Sequence, residues 1–229
     1  MRPIVIAGPS ANTGKTELAC RLVAALGDAQ ALKITRFHRE SHCPVHGADE
    51  HGDDHCDGCE PAPSGFELVG DEARLRTPGK DSQRLLDAGA KPALWLRAAP
   101  HVFEYALADA MKHFDMSRPL VIEGNSAACV GSFEALVVLI WPQVTRGVKA
   151  SVIPALKRCD ALILVEADSA PLQRVPASLR QTCERAGVSI ARLPKPLWLR
   201  SNWWEDPRPG SSGIGEAIAQ IVMRTSLAI

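Results

Sequence analysis

Short runs of consecutive apolar residues alternate along the chain with stretches in which apolar residues recur every three or four positions. The runs predict strands that are buried on both faces, and the periodic stretches predict amphipathic helices. We place the strands at residues 4–7, 31–35, 93–98, 119–124, 135–141 and 161–168, and the helices at residues 16–26, 81–88, 101–114, 148–159, 172–186 and 215–224. This alternation predicts an α/β fold in which helices cover both faces of a mostly parallel sheet.

Other segments have weaker patterns. Residues 65–80 have room for a short strand pair, and the proline-rich stretch PLWLRSNWWEDPRPG at 196–210 is predicted to be a loop. The buried face of the helix at 101–114 is predicted to contain Val102, Tyr105, Ala106 and Met111. Periodicity disappears at 37–65, which we interpret as an insertion into a single domain spanning residues 1–229.

The overall charge argues against two classes of partner. The 26 basic and 26 acidic residues cancel, so no excess charge indicates binding to nucleic acid or to an anionic membrane. No apolar stretch approaches the roughly 20 residues that span a bilayer, and the first residues do not resemble a signal peptide. We therefore expect a cytoplasmic protein whose cysteines are mostly reduced.

The segment GPSANTGKT at residues 8–16 lies between the first predicted strand and the first predicted helix. A loop in this place offers backbone N–H groups and a helix N-terminus to an anion. The order of strand, Gly-Lys-Thr and helix is that of a P-loop, in which Lys15 would reach the β- and γ-phosphates and the Thr16 hydroxyl would hold Mg²⁺. Compared with the common spacing, one extra residue precedes Gly14 and Pro9 stands in place of a glycine. The alternative is a turn that only starts the helix.

We assign nucleotide binding to this loop and to the start of the helix, with GTP or ATP and Mg²⁺ as the expected cofactors. The residues concerned are Gly8, Asn12, Thr13, Gly14, Lys15, Thr16 and Glu17.

Three further stretches follow the loop: LKITRFH at 32–38, TPGKDSQRLLDAGAKPALWLRA at 77–98 and LVIEGNS at 120–126. The loop spacing resembles that of dethiobiotin synthetase and its relatives. All four stretches together resemble the molybdopterin-guanine dinucleotide biosynthesis protein B (MobB) family, over roughly residues 3–170 apart from the insertion. The Gly-Lys-Asp-Ser and Ala-Gly-Ala segments are the most specific part.

The resemblance implies a P-loop GTP-binding protein, a homodimer in this family, that assists nucleotide attachment to the molybdenum cofactor and hydrolyses NTP weakly. Its partners would be a molybdopterin-type cofactor or a cofactor-assembly protein. It also implies a catalytic group of Lys15, Asp81 and Glu123. Glu123 would lie near Mg²⁺ as a metal residue together with Thr16, Asp81 would orient a metal-bound water or a substrate group, and Lys80 would add positive charge near the phosphates. The alternatives are a helix N-cap for Asp81 and a solvent-facing strand end for Glu123.

The base preference stays open. GTP-specific relatives carry Asn-Lys-x-Asp after a late strand, and this chain has Val-Glu-Ala-Asp at 165–168, so that only Asp168 matches as a nucleotide-binding residue. Trp198, Trp203 and Trp204 in the predicted loop are expected to fill a satellite cluster or a subunit contact, with stacking on a base as the alternative.

The insertion at 37–65 holds three of the seven cysteines and five of the seven histidines. Cys43-x-x-His46 and Cys56-x-x-Cys59 form two close ligand pairs, which is the arrangement of a tetrahedral Zn²⁺ site. An iron–sulfur cluster is the alternative metal centre, and the site is either structural, functional or an adventitious binder. The remaining cysteines are expected to be packed thiols: Cys20, Cys129, Cys159 and Cys183.

Three functions compete on these features. The Gly-Lys-Asp-Ser segment favours a MobB-like accessory protein for molybdenum or a related metallocofactor. The His-rich insertion favours a metallochaperone NTPase for metalloenzyme maturation. The spacing of the phosphate loop favours an ATP-dependent ligase or kinase like dethiobiotin synthetase.

Overall fold

A computed structural model describes residues 1–36, 65–145, 147–167, 174–203, 205 and 214–226. Its strands are β1 (Ile4–Ala7), β2 (Gln30–Arg36), β3 (Phe66–Val69), β4 (Ala93–Ala98), β5 (Leu120–Glu123), β6 (Leu136–Pro142), β7 (Cys159–Val165) and β8 (Leu197–Leu199). Its helices are α1 (Lys15–Leu26), α2 (Glu72–Leu75), α3 (Asp81–Asp87), α4 (Phe103–Met111), α5 (Val152–Lys157), α6 (Ala177–Ala186) and α7 (Ile214–Ser226). Short 3₁₀ helices occur at Pro100–Val102, Asn125–Cys129 and Ile190–Arg192.

The eight strands form one sheet in the order β3-β4-β2-β5-β1-β6-β7-β8. All neighbours are parallel except β3, which runs antiparallel to β4. From β1 the chain continues to β2, which lies towards the β3 edge of the sheet. From β6 it continues to β7, which lies towards the β8 edge. Ligands of open α/β sheets bind at the carboxyl ends of strands where the connections diverge in this way.

Helices pack on both faces of the sheet, as the sequence predicts. Because successive strand side chains point to opposite faces, Ile4 and Ile6 pack with α1, α3 and α7, whereas Val5 and Ala7 pack with α4, α5 and α6. The mixed α/β architecture and the mostly parallel sheet are thereby confirmed. In the described part of the chain, no helix is both long enough and apolar enough to cross a membrane.

Two predicted elements differ in type from the structure. The stretch 148–159 was expected to be one helix, but α5 ends at Lys157 and Cys159 already belongs to β7. The Asp160 carboxylate accepts a hydrogen bond from the Val137 backbone N–H (2.8 Å), so this end of the stretch is held in the sheet. The loop predicted at 196–210 is wrong at its start, where β8 extends the sheet beside β7.

The buried face of α4 is also shifted. Phe103, Ala106, Leu107 and Ala110 are buried, whereas Tyr105 is 65% exposed and contacts Phe66 at the helix surface. A 3₁₀ turn at Pro100–Val102 directly precedes α4, and Phe103, the first residue of the helix, is buried in the core.

Two shorter differences concern element boundaries. The expected strand pair is a single strand, β3, because its antiparallel partner is the distant β4. The helix predicted from residue 172 begins at Ala177 directly after Pro176, which disfavours helical geometry in the residue before it. Within the insertion predicted at 37–65, only Gly65 lies among the described residues.

Candidate functional site

A cavity of about 710 Å³ lies at the carboxyl ends of β1, β2 and β5. Its walls consist of residues 10–17, 33–36, Asp81, Arg84, 123–126 and 149–151. The cavity therefore occupies the place that the strand order makes available for a ligand.

Gly8, at the start of the loop between β1 and α1, is closely surrounded by other residues. The Gly8 N–H donates to Asn125 Oδ1 and Asn125 Nδ2 donates to the Gly8 carbonyl, both at 2.9 Å. A Cβ atom on Gly8 would lie 2.7 Å from Thr13 Oγ1 and 3.0 Å from the Ile140 carbonyl oxygen. A residue larger than glycine does not fit at position 8 unless the loop shifts. Gly8 does not line the cavity.

Gly14 precedes α1 in a left-handed conformation, with φ of 86°. No side chain caps this helix end, which leaves the first-turn N–H groups for an anion.

The Trp203 ring packs directly against Gly14, and a Cβ on Gly14 would come within 2.9 Å of it. Trp203 is only 1% exposed, so it fills the core and offers no free face to a base. Trp198 also packs against the core, and Trp204 lies outside the described residues.

The Lys15 ammonium group folds back over the loop. It donates to the Ser10 carbonyl at 2.5 Å and to Thr13 Oγ1 at 3.3 Å. Burial lowers the pKa of Lys15 from its ordinary 10.5 to about 8, against the attraction of Glu123, and nearby Lys33 and Lys149 lower it further. An anion beside this ammonium group would stabilise its charged form and so offset the effect of burial.

Two carboxylates converge on Lys33, in the middle of β2. Lys33 Nζ donates to Asp81 Oδ2 at 2.5 Å and also to Glu123 Oε2. Lys33 and Glu123 stand opposite each other in the register of β2 and β5, and Asp81 opens α3. The Thr16 hydroxyl hydrogen-bonds to Asp81, so this residue of the motif joins the same group.

These contacts explain two pKa directions and settle two alternatives. Burial alone would lower the pKa of Lys33, but Glu123 and Asp81 outweigh it and raise that pKa. Burial would raise the pKa of Asp81, but Lys33 and the Thr16 hydroxyl outweigh it and lower that pKa. Glu123 is 2% exposed, so the solvent-facing alternative is wrong. The N-cap of α3 is Lys80 and not Asp81.

The structure brings most predicted site residues of the described segments to the cavity. Those on its walls are Asn12, Thr13, Gly14, Lys15, Thr16, Glu17, Asp81 and Glu123. Glu17 is held by Arg21 at 2.8 Å and by Arg84 at 2.5 Å, and Lys80 does not line the cavity. Asp168, Cys43, His46, Cys56 and Cys59 lie outside the described residues.

Sequence reasoning missed several cavity residues. Lys33 carried a usable signal, since a lysine within a run of buried strand residues needs a partner. Asn125 gave none, because its two bonds to Gly8 span 117 positions of the chain. Arg36, Arg84 and Lys149 are placed by the topology of the sheet.

The cavity reaches both faces of the sheet. Lys33 points to Asp81 at the start of α3, whereas Arg36 lies three positions later and faces the opposite way. The Arg36 guanidinium lies 5.7 Å from the centre of the Phe103 ring of α4. We call the two flanks the α1 side (Lys15, Thr16, Lys33, Asp81 and Glu123) and the α5 side (Arg36, Ser126, Lys149 and Ser151).

The α1 side offers oxygen ligands of the kind that Mg²⁺ prefers. The Thr16 hydroxyl and the carboxylates of Asp81 and Glu123 are hard donors, and Mg²⁺ usually completes its shell with phosphate and water. In the segments that the structure describes, no group of three or more His, Cys, Asp or Glu side chains could hold a metal ion. The two carboxylates would therefore act together with oxygens of a bound ligand.

The fold and this cavity define an α/β protein with a cationic crevice at the carboxyl ends of its strands. No protein-family model and no curated protein matches the chain.

Proposed function

We propose that this chain is a P-loop protein that binds the triphosphate of GTP or ATP together with Mg²⁺ on the α1 side. It would hydrolyse the nucleotide slowly while it assists the biosynthesis of the molybdenum cofactor or a related metallocofactor. The observation that carries the nucleotide part is the meeting of Lys15, Thr16, Asp81 and Glu123 beside the uncapped start of α1.

The loop supports this proposal in two ways. Its closure at Gly8 keeps the backbone compact, and the free N–H groups of α1 face the cavity as an anion site. Lys15 lacks a carboxylate partner among the described residues and so is suited to bind the terminal phosphates.

The carboxylates contribute orientation and charge. Asp81 and Glu123 are held together by Lys33, which fixes their oxygens at the edge of the phosphate site. Mg²⁺ bound there would neutralise charge that develops on the phosphates. Asp81, the more exposed of the two, is the better placed to orient a water molecule.

The cofactor-biosynthesis part is supported by the resemblance of residues 77–98 and 120–126 to the MobB family. The same resemblance supports a homodimer, with a molybdopterin-type cofactor or a cofactor-assembly protein as partner.

Nucleotide binding is tested with fluorescent analogues of GTP and ATP. We expect Lys15→Ala to weaken binding at least about 100-fold, because the substitution removes a charged hydrogen-bond donor to phosphate. Lys112→Ala, an exposed lysine after α4, serves as the matched control and should bind as the wild type does. Equal binding by Lys15→Ala and the control would refute the phosphate site. The ratio of the two wild-type affinities identifies the base.

We also propose that Cys43, His46, Cys56 and Cys59 bind Zn²⁺, with an iron–sulfur cluster as the alternative. The spacing of the two pairs supports this site. Metal analysis of the purified protein should give about one zinc per chain, and Cys56→Ser with Cys59→Ser should remove it. Protein that is isolated free of both zinc and iron, and takes up neither, would contradict the proposal.

A further inference from the structure

The α5 side of the cavity takes no part in the proposed phosphate site, yet it carries a guanidinium group that has no ion-pair partner among the described residues. Arg36 lines the cavity, and its Nε atom is buried without a hydrogen-bond partner. No ion pair joins Arg36 to any described residue, and its guanidinium group packs on the Phe103 ring. A guanidinium group packed on an aromatic ring is oriented and keeps its hydrogen-bond donors for a ligand.

The neighbours of Arg36 add donors to the same flank. Lys149 lies on the adjoining loop, whose position is fixed by a bond from its backbone N–H to the Pro9 carbonyl (2.8 Å). Ser126 is nearly buried, and Ser151 Oγ accepts a hydrogen bond from Asn125 Nδ2 at 3.2 Å. Both hydroxyl groups line the cavity.

The charges of the cavity are unevenly distributed. Its described acidic residues are Glu17, Asp81 and Glu123, and all three lie on the face of α1 and α3. The described lining of the α5 side therefore holds two positive charges and no carboxylate. A flank of this kind attracts an anion.

We propose that the α5 side binds the anionic group, a carboxylate or a phosphate, of a second small-molecule ligand. Arg36 would hold that group through its fork of N–H donors, and Lys149 and the two serine hydroxyls would complete the contacts. This inference rests on the proposed function, since the nucleotide phosphates would fill the α1 side of the same cavity. The cavity volume of about 710 Å³ is within the range of sites that hold a whole small molecule.

The two flanks adjoin at Gly124, whose φ is 141°. A Cβ atom there would lie 3.1 Å from both Cβ and the carbonyl oxygen of Ile34. A ligand on the α5 side would thus lie next to the nucleotide phosphates, in the position of an acceptor or an activated substrate.

The experiment uses the full chain saturated with Mg²⁺ and a non-hydrolysable nucleotide, so that the α1 side is filled. Inorganic phosphate and succinate are titrated separately by calorimetry. We expect one of these anions to bind the wild type, and Arg36→Gln to weaken that binding at least about tenfold. Arg180→Gln, which removes an exposed guanidinium group on α6, should leave it unchanged.

The two anions distinguish the ligand class. Arg36-dependent binding of phosphate assigns a phosphorylated ligand, and Arg36-dependent binding of succinate assigns a carboxylate. The proposal is overturned when neither anion binds the wild type, or when Arg36→Gln and Arg180→Gln behave alike. Arg36→Lys, which keeps the charge and loses the fork, should give an intermediate affinity and replaces Arg36→Gln should the latter not fold.

Failure of the nucleotide proposal would be recognised separately. In that case the titrations are repeated without nucleotide in a Lys15→Ala background. If adding Arg36→Gln to this background weakens anion binding, the α5 side remains an anion site. If anion binding is unchanged, the proposal is refuted.

Discussion

The two flanks of the cavity hold similar numbers of cations but use them differently. On the α1 side, Lys33 is paired with Asp81 and Glu123, and the Thr16 hydroxyl hydrogen-bonds to Asp81. On the α5 side, Arg36 has no ion pair with described residues and packs on an aromatic ring.

This difference separates charges that stabilise the fold from charges that are kept for a ligand. A buried carboxylate such as Glu123 requires its cation at all times, since an isolated buried charge is costly. A cation at the cavity wall without a carboxylate partner, such as Arg36, does not stabilise the fold in this way and would be available to a ligand. Substitutions on the two flanks should therefore differ in stability before any ligand is added.

The largest effect is expected from Lys33→Met. Removing the ammonium group leaves Glu123 buried without its counter-ion, which should lower the free energy of unfolding by about 3–5 kcal/mol. Urea denaturation in EDTA measures this loss. Excess Mg²⁺ should restore part of it, because the ion can take the place of the ammonium group between the two carboxylates.

Arg36→Gln is the control on the opposite flank. It should cost at most about 1 kcal/mol, the value of its contact with the Phe103 ring. Similar losses for Lys33→Met and Arg36→Gln would remove the distinction between the two flanks.

A smaller effect is expected from pH, through Lys15. Below about pH 8 Lys15 is protonated in both the folded and the unfolded chain, and the cost of burying its charge is fully present. Between about pH 8 and its ordinary pKa of 10.5, the folded state loses the proton first. The unfolded state then binds more protons, so this residue makes the free energy of unfolding rise with pH.

Lys15→Met isolates that contribution. At pH 7 the variant should be more stable than the wild type by up to about 3 kcal/mol, and the difference should shrink towards zero by pH 10.5. The neighbouring charges that act on Lys15, namely Glu123, Lys33, Lys149 and Asp81, are present in both proteins. A difference that stays constant from pH 7 to pH 10.5 would contradict the lowered pKa.

An effect similar to or smaller than that of Lys15→Met is expected in the loop itself. Gly8→Ala places a methyl group against Thr13 Oγ1 and the Ile140 carbonyl, and overpacking of this kind costs about 1–3 kcal/mol. Nucleotide affinity should fall as well, because the loop must shift to admit the methyl group. Gly131→Ala, where a Cβ meets nothing within 4 Å, should change stability by less than about 0.5 kcal/mol. Thermal unfolding of the two variants decides the point.

The sequence predicted those parts of the fold and site that depend on local pattern. The apolar runs located β1 and β5, and the order of strand, loop and helix placed residues 8–16 at the edge of the sheet. Glu123 was expected at a strand end beside the loop, and it lies there because β5 pairs with β1.

The remainder depends on contacts between distant segments. Lys33 meets Glu123 because β5 lies between β1 and β2, and the strand pattern alone does not specify that order. The exposure of Tyr105 follows from the phase of α4, which is the one that buries Phe103 and Ala106. Arg36 and Lys149 belong to separate segments, so no local motif marks them as one flank.

Trp203 gives the loop a further property. Its indole ring lies against Gly14 and beneath the Arg21 guanidinium, 5.7 Å from the ring centre. Any shift of the loop or of the first turn of α1 changes the surroundings of this ring. The chain thus contains a fluorophore beside the entrance to α1, and we expect its emission to change when a ligand shifts the loop.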